Sequence, residues 1–134
     1  MKRPDLNKVS LEQLVANFKE WSYKQAGSIG DNSNDYTKAY THLMAIGDEL
    51  KRRGPDARRA LLPLLNCTGD EAGPWKALSA GAQCRYNAAW QLLTAEPDAA
   101  LAALEKLGRD KITYAGFLAR ITLGRLQDGS FKPT

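Results

Sequence analysis

From Tyr86 to Leu107 the apolar residues recur every three or four positions, and one break interrupts them at Glu96-Pro97. Tyr86, Ala89, Trp90 and Leu93 share one face of a 3.6-residue helix, as do Ala100, Leu101, Leu104 and Leu107. Proline disfavours helical geometry in the residue before it but is comfortable as the first residue of a new helix. The first helix is therefore expected to stop by about Ala95 and the second to run from Pro97 to Leu107. Asp98 favours the N-terminal dipole of that second helix, and Gly108 suits its end. Two helices joined this tightly fold as an antiparallel hairpin, and the rest of the chain reads as further copies of that plan.

The order of elements follows from the start. Residues 1–9 read as an irregular leader. Ser10 and Gln13 have the form of a capping box, and Leu11, Leu14, Val15, Phe18 and Trp21 run at helical spacing to about Lys24. Gln25 to Asn34 reads as a loop. The next helix starts at Asn34-Asp35, buries Tyr36, Ala39, Tyr40, Leu43, Met44, Gly47 and Leu50, and ends at Lys51-Arg52-Arg53 before Gly54-Pro55. A third begins at Pro55 or Asp56 and is kinked or cut short by Pro63. Asn66 to Pro74 is a second loop, and Pro74 or Trp75 opens a long fourth helix to about Thr94. The sixth runs from about Thr113 to Gln127 and carries Ala115, Leu118, Ala119, Thr122, Leu123 and Leu126 on one face. No stretch alternates as a strand would. The expected fold is one all-α domain spanning 1–134, with six helices in three antiparallel pairs stacked as a short HEAT-like array; an irregular orthogonal bundle has the same periodicity.

The 134 residues are enough for one core. No apolar run approaches the ~20 residues that span a bilayer, and the N-terminus lacks the apolar region of a secretory signal, so a cytoplasmic protein without membrane contact is expected. Cys67 and Cys84 are too few for a disulfide scaffold and read as free thiols.

The residues of chemistry are sparse. His42 is the only histidine and has no partner at metal-ligand spacing, so neither a metal nor a cofactor is expected. Phosphate-binding glycine loops and nucleophile elbows are absent. Asp48-Glu49 and Asp70-Glu71 are adjacent pairs that do not converge as an acid–base dyad. No catalytic residue is assigned, and the chain is read as a non-enzyme.

Binding residues are easier to name. The net charge is +4, and its densest run is Lys51, Arg52, Arg53, Arg58 and Arg59 around one turn. Arg52, Arg53, Arg58, Arg59 and Arg85 are candidate partner contacts; the structural alternative is helix-end electrostatics. Trp75, after Gly73-Pro74, is the tryptophan most expected to be exposed as an interface anchor, while Trp21 and Trp90 read as core. The polar faces of the second, fourth and sixth helices (Thr37, Thr41, Lys76, Gln83, Asn87, Gln91, Arg120, Arg125) could supply further contacts.

Leu61-Leu62-Pro63-Leu64-Leu65, Arg85 to Leu93 and Glu96 to Ala100 together resemble a family of small bacterial proteins of unknown function built from HEAT-like helix pairs. Glu49 to Arg53 and Leu126 to Ser130 add to the resemblance, which covers about residues 10–131; Gly69 to Ala80 is longer than the family pattern. The resemblance implies a stand-alone helical-repeat binding module. Its partner would be a protein, and the immunity proteins that neutralise a toxin domain by direct binding are one such class. The alternative is nucleic-acid binding through the basic turn, which the mild charge favours less.

Overall fold

The computed structural model describes residues 4–28, 34–69 and 77–134. Among them there are six α-helices, one 3-10 turn and no strand: α1 (Leu11–Gly27), α2 (Asp35–Arg53), α3 (Pro55–Arg59), the 3-10 turn Leu62–Asn66, α4 (Ala77–Leu92), α5 (Pro97–Gly108) and α6 (Tyr114–Asp128).

Local signals account for most boundaries. Ser10 caps α1 by accepting from Gln13 N at 3.1 Å. The return half of the capping box does not form, because the Gln13 side chain donates to Asn17 Oδ1 at 2.7 Å instead. Gly54 ends α2 with φ 109°, a backbone that side chains resist, and Pro55 opens α3. Pro63 cannot continue an α-helix, so α3 stops at Arg59 and the chain tightens into the 3-10 turn. Thr113 caps α6 through Gly116 N at 3.2 Å, and Gly129 closes it in the left-handed conformation.

Helix α4 is the hub: it packs against α1, α5, α6, α3 and the 3-10 turn. Its buried alanines, Ala80, Ala82, Ala88 and Ala89, leave room for neighbours on several sides. Larger side chains fill the space between: Leu14 and Phe18 of α1, Leu43, Ile46 and Leu50 of α2, Leu61, Leu92 and Leu104. Removing one such side chain, for example Phe18→Ala, costs on the order of 3–5 kcal/mol. Cys84 is buried and Cys67 half-buried, both as free thiols; Cys67 Sγ lies 2.6 Å from the Tyr23 hydroxyl.

Two local expectations are corrected. Helix α1 continues through Gln25 to Gly27, because Gln25 is buried and bonded to α4 rather than solvated. Trp90 is 37% exposed, since the core side of α4 is taken by alanines and the tryptophan is turned outward onto Phe131, at 4.5 Å between ring centroids. Trp21 does pack against the core, half-buried, and stacks on His42 at 3.9 Å. The expected start of the fourth helix at Pro74 or Trp75 lies outside the described residues.

Candidate binding groove

On α4, Gln83, Asn87 and Gln91 recur every four residues and so form a row of carboxamides along one face. Tyr86 and Trp90 stand beside that row. Helix α2 adds Tyr36, Tyr40 and Met44, again four apart, and α6 adds Tyr114 and Leu118. With Phe18 and Gln25 of α1 and Leu43 below, these residues line a half-open groove of about 280 Å³. None of them carries a charge at neutral pH. Tyr40, Met44, Trp90 and Tyr114 are all exposed, at 51%, 37%, 37% and 41%, an unusual density of large apolar surface for one rim.

The floor is an ordered chain of hydrogen bonds. Gln83 Nε2 donates to Asn87 Oδ1 at 3.1 Å. Asn87 Nδ2 donates to Ser22 Oγ at 3.0 Å and to Gln25 Oε1 at 2.9 Å. Gln25 in turn bonds the Tyr36 hydroxyl. Burial makes these bonds obligatory, since an unpaired polar group away from water costs about 1–3 kcal/mol. One group has no protein partner: Gln83 Oε1, on a side chain only 2% exposed.

The walls are held as well. The Tyr86 hydroxyl bonds Thr122 Oγ1 at 2.9 Å. Burial pushes the Tyr86 phenol above its ordinary value, the Thr122 bond opposing it. Burial also raises Tyr36, with neighbouring Tyr114 adding to the shift and the Gln25 bond opposing it. Both phenols stay protonated at neutral pH. Gly47 lets Gln91 lie across α2, since a Cβ there would strike the Gln91 carboxamide.

The residues singled out from the sequence fall in several places. Gln83, Asn87 and Gln91 meet in the groove. Arg52 and Arg53 both bind Glu49, each with one contact of 2.6 Å, and together with their hydrogen bonds they hold its carboxyl down at about 2. Arg53 also donates to the carbonyls of Leu6, at 3.1 Å, and Val9, at 2.5 Å, fastening the leader to α2. Arg59 pairs with Asp56 at 2.5 Å and Glu96 at 3.0 Å, and Arg58 reaches the Thr134 carbonyl at 3.0 Å. Arg85 folds back on the Gly81 carbonyl at 3.2 Å, and Arg120 holds the carbonyls of Gly108 and Asp110. Thr41 bonds the Thr37 carbonyl one turn back. The arginines are thus divided among separate internal contacts. Trp75 and Lys76 lie outside the described residues.

What sequence reasoning missed is the α2 wall. Tyr36, Tyr40 and Met44 share a stripe with Ala39, Leu43 and Gly47 and read as one buried face. The stripe is wider than the contact with α1, and its far edge is left for the groove. The four-residue spacing of tyrosine, tyrosine and methionine is the signal that separates the two edges.

Among the described residues no group of His, Cys, Asp or Glu could hold a metal ion, and no helix is long and apolar enough to cross a membrane. No curated protein and no solved structure matches the chain. One family does match, over residues 12–126, and its description is Domain of unknown function (DUF2019). That span takes in α1 through nearly all of α6 and every residue that lines the groove, and the chain belongs to the DUF2019 family.

Proposed function

We propose that this chain is a non-enzymatic protein-binding module and that the groove between α2, α4 and α6 receives a segment of the partner. The observation that carries this is the groove's composition: tyrosine, tryptophan and methionine on the rim, carboxamides on the floor and no charge. Interface cores are enriched in these aromatic and methionine side chains and depleted of charge. A carboxamide can both donate to and accept from a peptide backbone, and half-buried Gln91 is placed to do so, while Gln83 and Asn87 hold the floor. In this reading the helices are three antiparallel pairs stacked as a short HEAT-like array: α1 with α2, α3 and the 3-10 turn with α4, α5 with α6. The free thiols of Cys67 and Cys84 support the cytoplasm as its setting.

The basic turn is the weaker candidate surface. Arg52, Arg53 and Arg59 already face Glu49, Asp56 and Glu96, which removes much of the charge that a nucleic acid would need.

The test is affinity capture from the source cell with three baits: wild type, Tyr40→Glu in the groove, and Arg52→Glu/Arg59→Glu on the turn. The expected result is one stoichiometric protein that Tyr40→Glu loses and the arginine variant keeps. A toxin domain in that position would make the chain an immunity protein, as the resemblance implies. Loss in the arginine variant alone would move the site to the turn and overturn the groove.

A further inference from the structure

We propose that Cys67 and Cys84 form a peroxide-sensitive modification site: hydrogen peroxide oxidises Cys67, and Cys84 then closes a disulfide onto it. Neither thiol lines the groove, and this chemistry goes beyond partner binding.

The fold brings the two thiols together. The chain leaves the 3-10 turn at Cys67 and crosses α4 at Gly81, where an added Cβ would strike the Thr68 carbonyl and come within 3.1 Å of the Cys67 carbonyl oxygen. Cys84 lies one turn further along α4, on the same side of that helix. Its thiol is within hydrogen-bond reach of the Cys67 thiol. Both are free thiols.

Their surroundings differ, and that sets the order of events. Cys67 is half-buried between exposed Asn66 and Thr68, open to a molecule as small as peroxide. Its Sγ lies 2.6 Å from the Tyr23 hydroxyl, a donor able to hold a thiolate. Cys84 is fully buried. Burial pushes its thiol up from the ordinary value and neighbouring Cys67 adds to the shift, while Lys19 and Ser22 oppose it. Cys84 therefore stays a thiol while Cys67 reacts. In the first step the Cys67 thiolate attacks one peroxide oxygen, the O–O bond breaks, and the leaving hydroxide takes up the thiol's proton as water. Cys67 becomes a sulfenic acid as the peroxide is reduced. In the second step the Cys84 sulfur attacks Cys67 Sγ, the S–O bond breaks, and the Cys84 proton leaves with the hydroxide as a second water. The disulfide fastens the end of the 3-10 turn to the hub helix.

The test exposes the full chain to hydrogen peroxide, with glutathione at the same thiol concentration in a parallel tube. N-ethylmaleimide in denaturant then caps the remaining thiols, and mass spectrometry maps both cysteines. The expected result for wild type is an intramolecular Cys67–Cys84 bridge, formed before the glutathione is consumed and reversed by dithiothreitol. Dimedone, which traps sulfenic acids, should label Cys67 and leave Cys84 unlabelled. In Cys84→Ser the label on Cys67 should rise several-fold, because no thiol remains to resolve the sulfenic acid. The wild-type map does not depend on how that variant folds. Both thiols still open to N-ethylmaleimide after the glutathione is consumed would overturn the inference. So would a sulfinic acid on Cys67 without a bridge, bridges formed only between chains, or a dimedone label on Cys84 alone.

Discussion

Asn87 of α4 donates to Gln25 Oε1 of α1 at 2.9 Å, and this bond ties the floor of the groove to the hub of the fold. The same amide nitrogen reaches Ser22, and Oδ1 accepts from Gln83. Asn87→Ala would take one hydrogen bond from each of three buried side chains, Ser22, Gln25 and Gln83. The expected cost is about 2–4 kcal/mol in urea unfolding, more than truncation of an exposed side chain, because each of them loses that bond without regaining water. A loss below about 0.5 kcal/mol would show that the network does not hold the helices together.

Arg53 and Arg52 make a matched pair for a second prediction. Arg53 is 21% exposed and grips Glu49 and the carbonyls of the leader, whereas Arg52 is 60% exposed. Arg53→Ala is expected to destabilise by about 1–3 kcal/mol and to speed amide exchange at Val9, the scale of charge-assisted bonds with partial burial. Arg52→Ala should cost less than about 1 kcal/mol, the range of a solvent-exposed pair. Thermal melts of the two variants, with exchange at Val9, check both.

The Glu49 carboxyl is held at about 2, below its ordinary 4.5, first by its hydrogen bonds to Arg52 and then to Arg53. A carboxyl depressed on folding stabilises the protein above its unfolded pKa, and that contribution fades as pH falls through the folded one. The contribution should therefore be full above about pH 4.5 and disappear between there and about pH 2. Carbon-detected NMR titration of Glu49 should find its midpoint near 2. In Glu49→Gln, melting temperature should fall less steeply across that acid window than in wild type.

Two helical glycines predict opposite outcomes. A Cβ at Gly81 would strike the backbone carbonyl of Thr68, whereas one at Gly124 meets open space. Gly124→Ala, in the middle of α6, is expected to stabilise by about 0.5–1 kcal/mol, because alanine has less chain entropy to lose. Gly81→Ala is expected to destabilise by about 1–3 kcal/mol, since the clash is with backbone that must shift. Calorimetry on the two variants decides the sign of each.

Helix class and most helix ends were legible because their causes are local. Pro97 starts α5 and Thr113 caps α6, and Pro63 cuts α3 short, each through the chemistry of a single residue or its neighbour. The Gln83–Asn87–Gln91 row was also visible as a polar face. The aromatic wall was not, because period alone cannot tell the core edge of a stripe from its groove edge; Leu43 and Tyr40 share one stripe but differ from 6% to 51% in exposure. The ion pairing around the basic turn was not legible for a related reason. Charge density along the chain says nothing of partners such as Glu96, which lies 37 positions from Arg59.

The central claim is that a protein partner sits in the groove of α2, α4 and α6. Site-specific photo-crosslinking in the source cell tests it most directly, with a benzophenone side chain placed at position 40 on the groove rim or at position 52 on the basic turn. The account predicts one discrete protein adduct from position 40 and none from position 52. An adduct from position 52 with none from position 40 would contradict it.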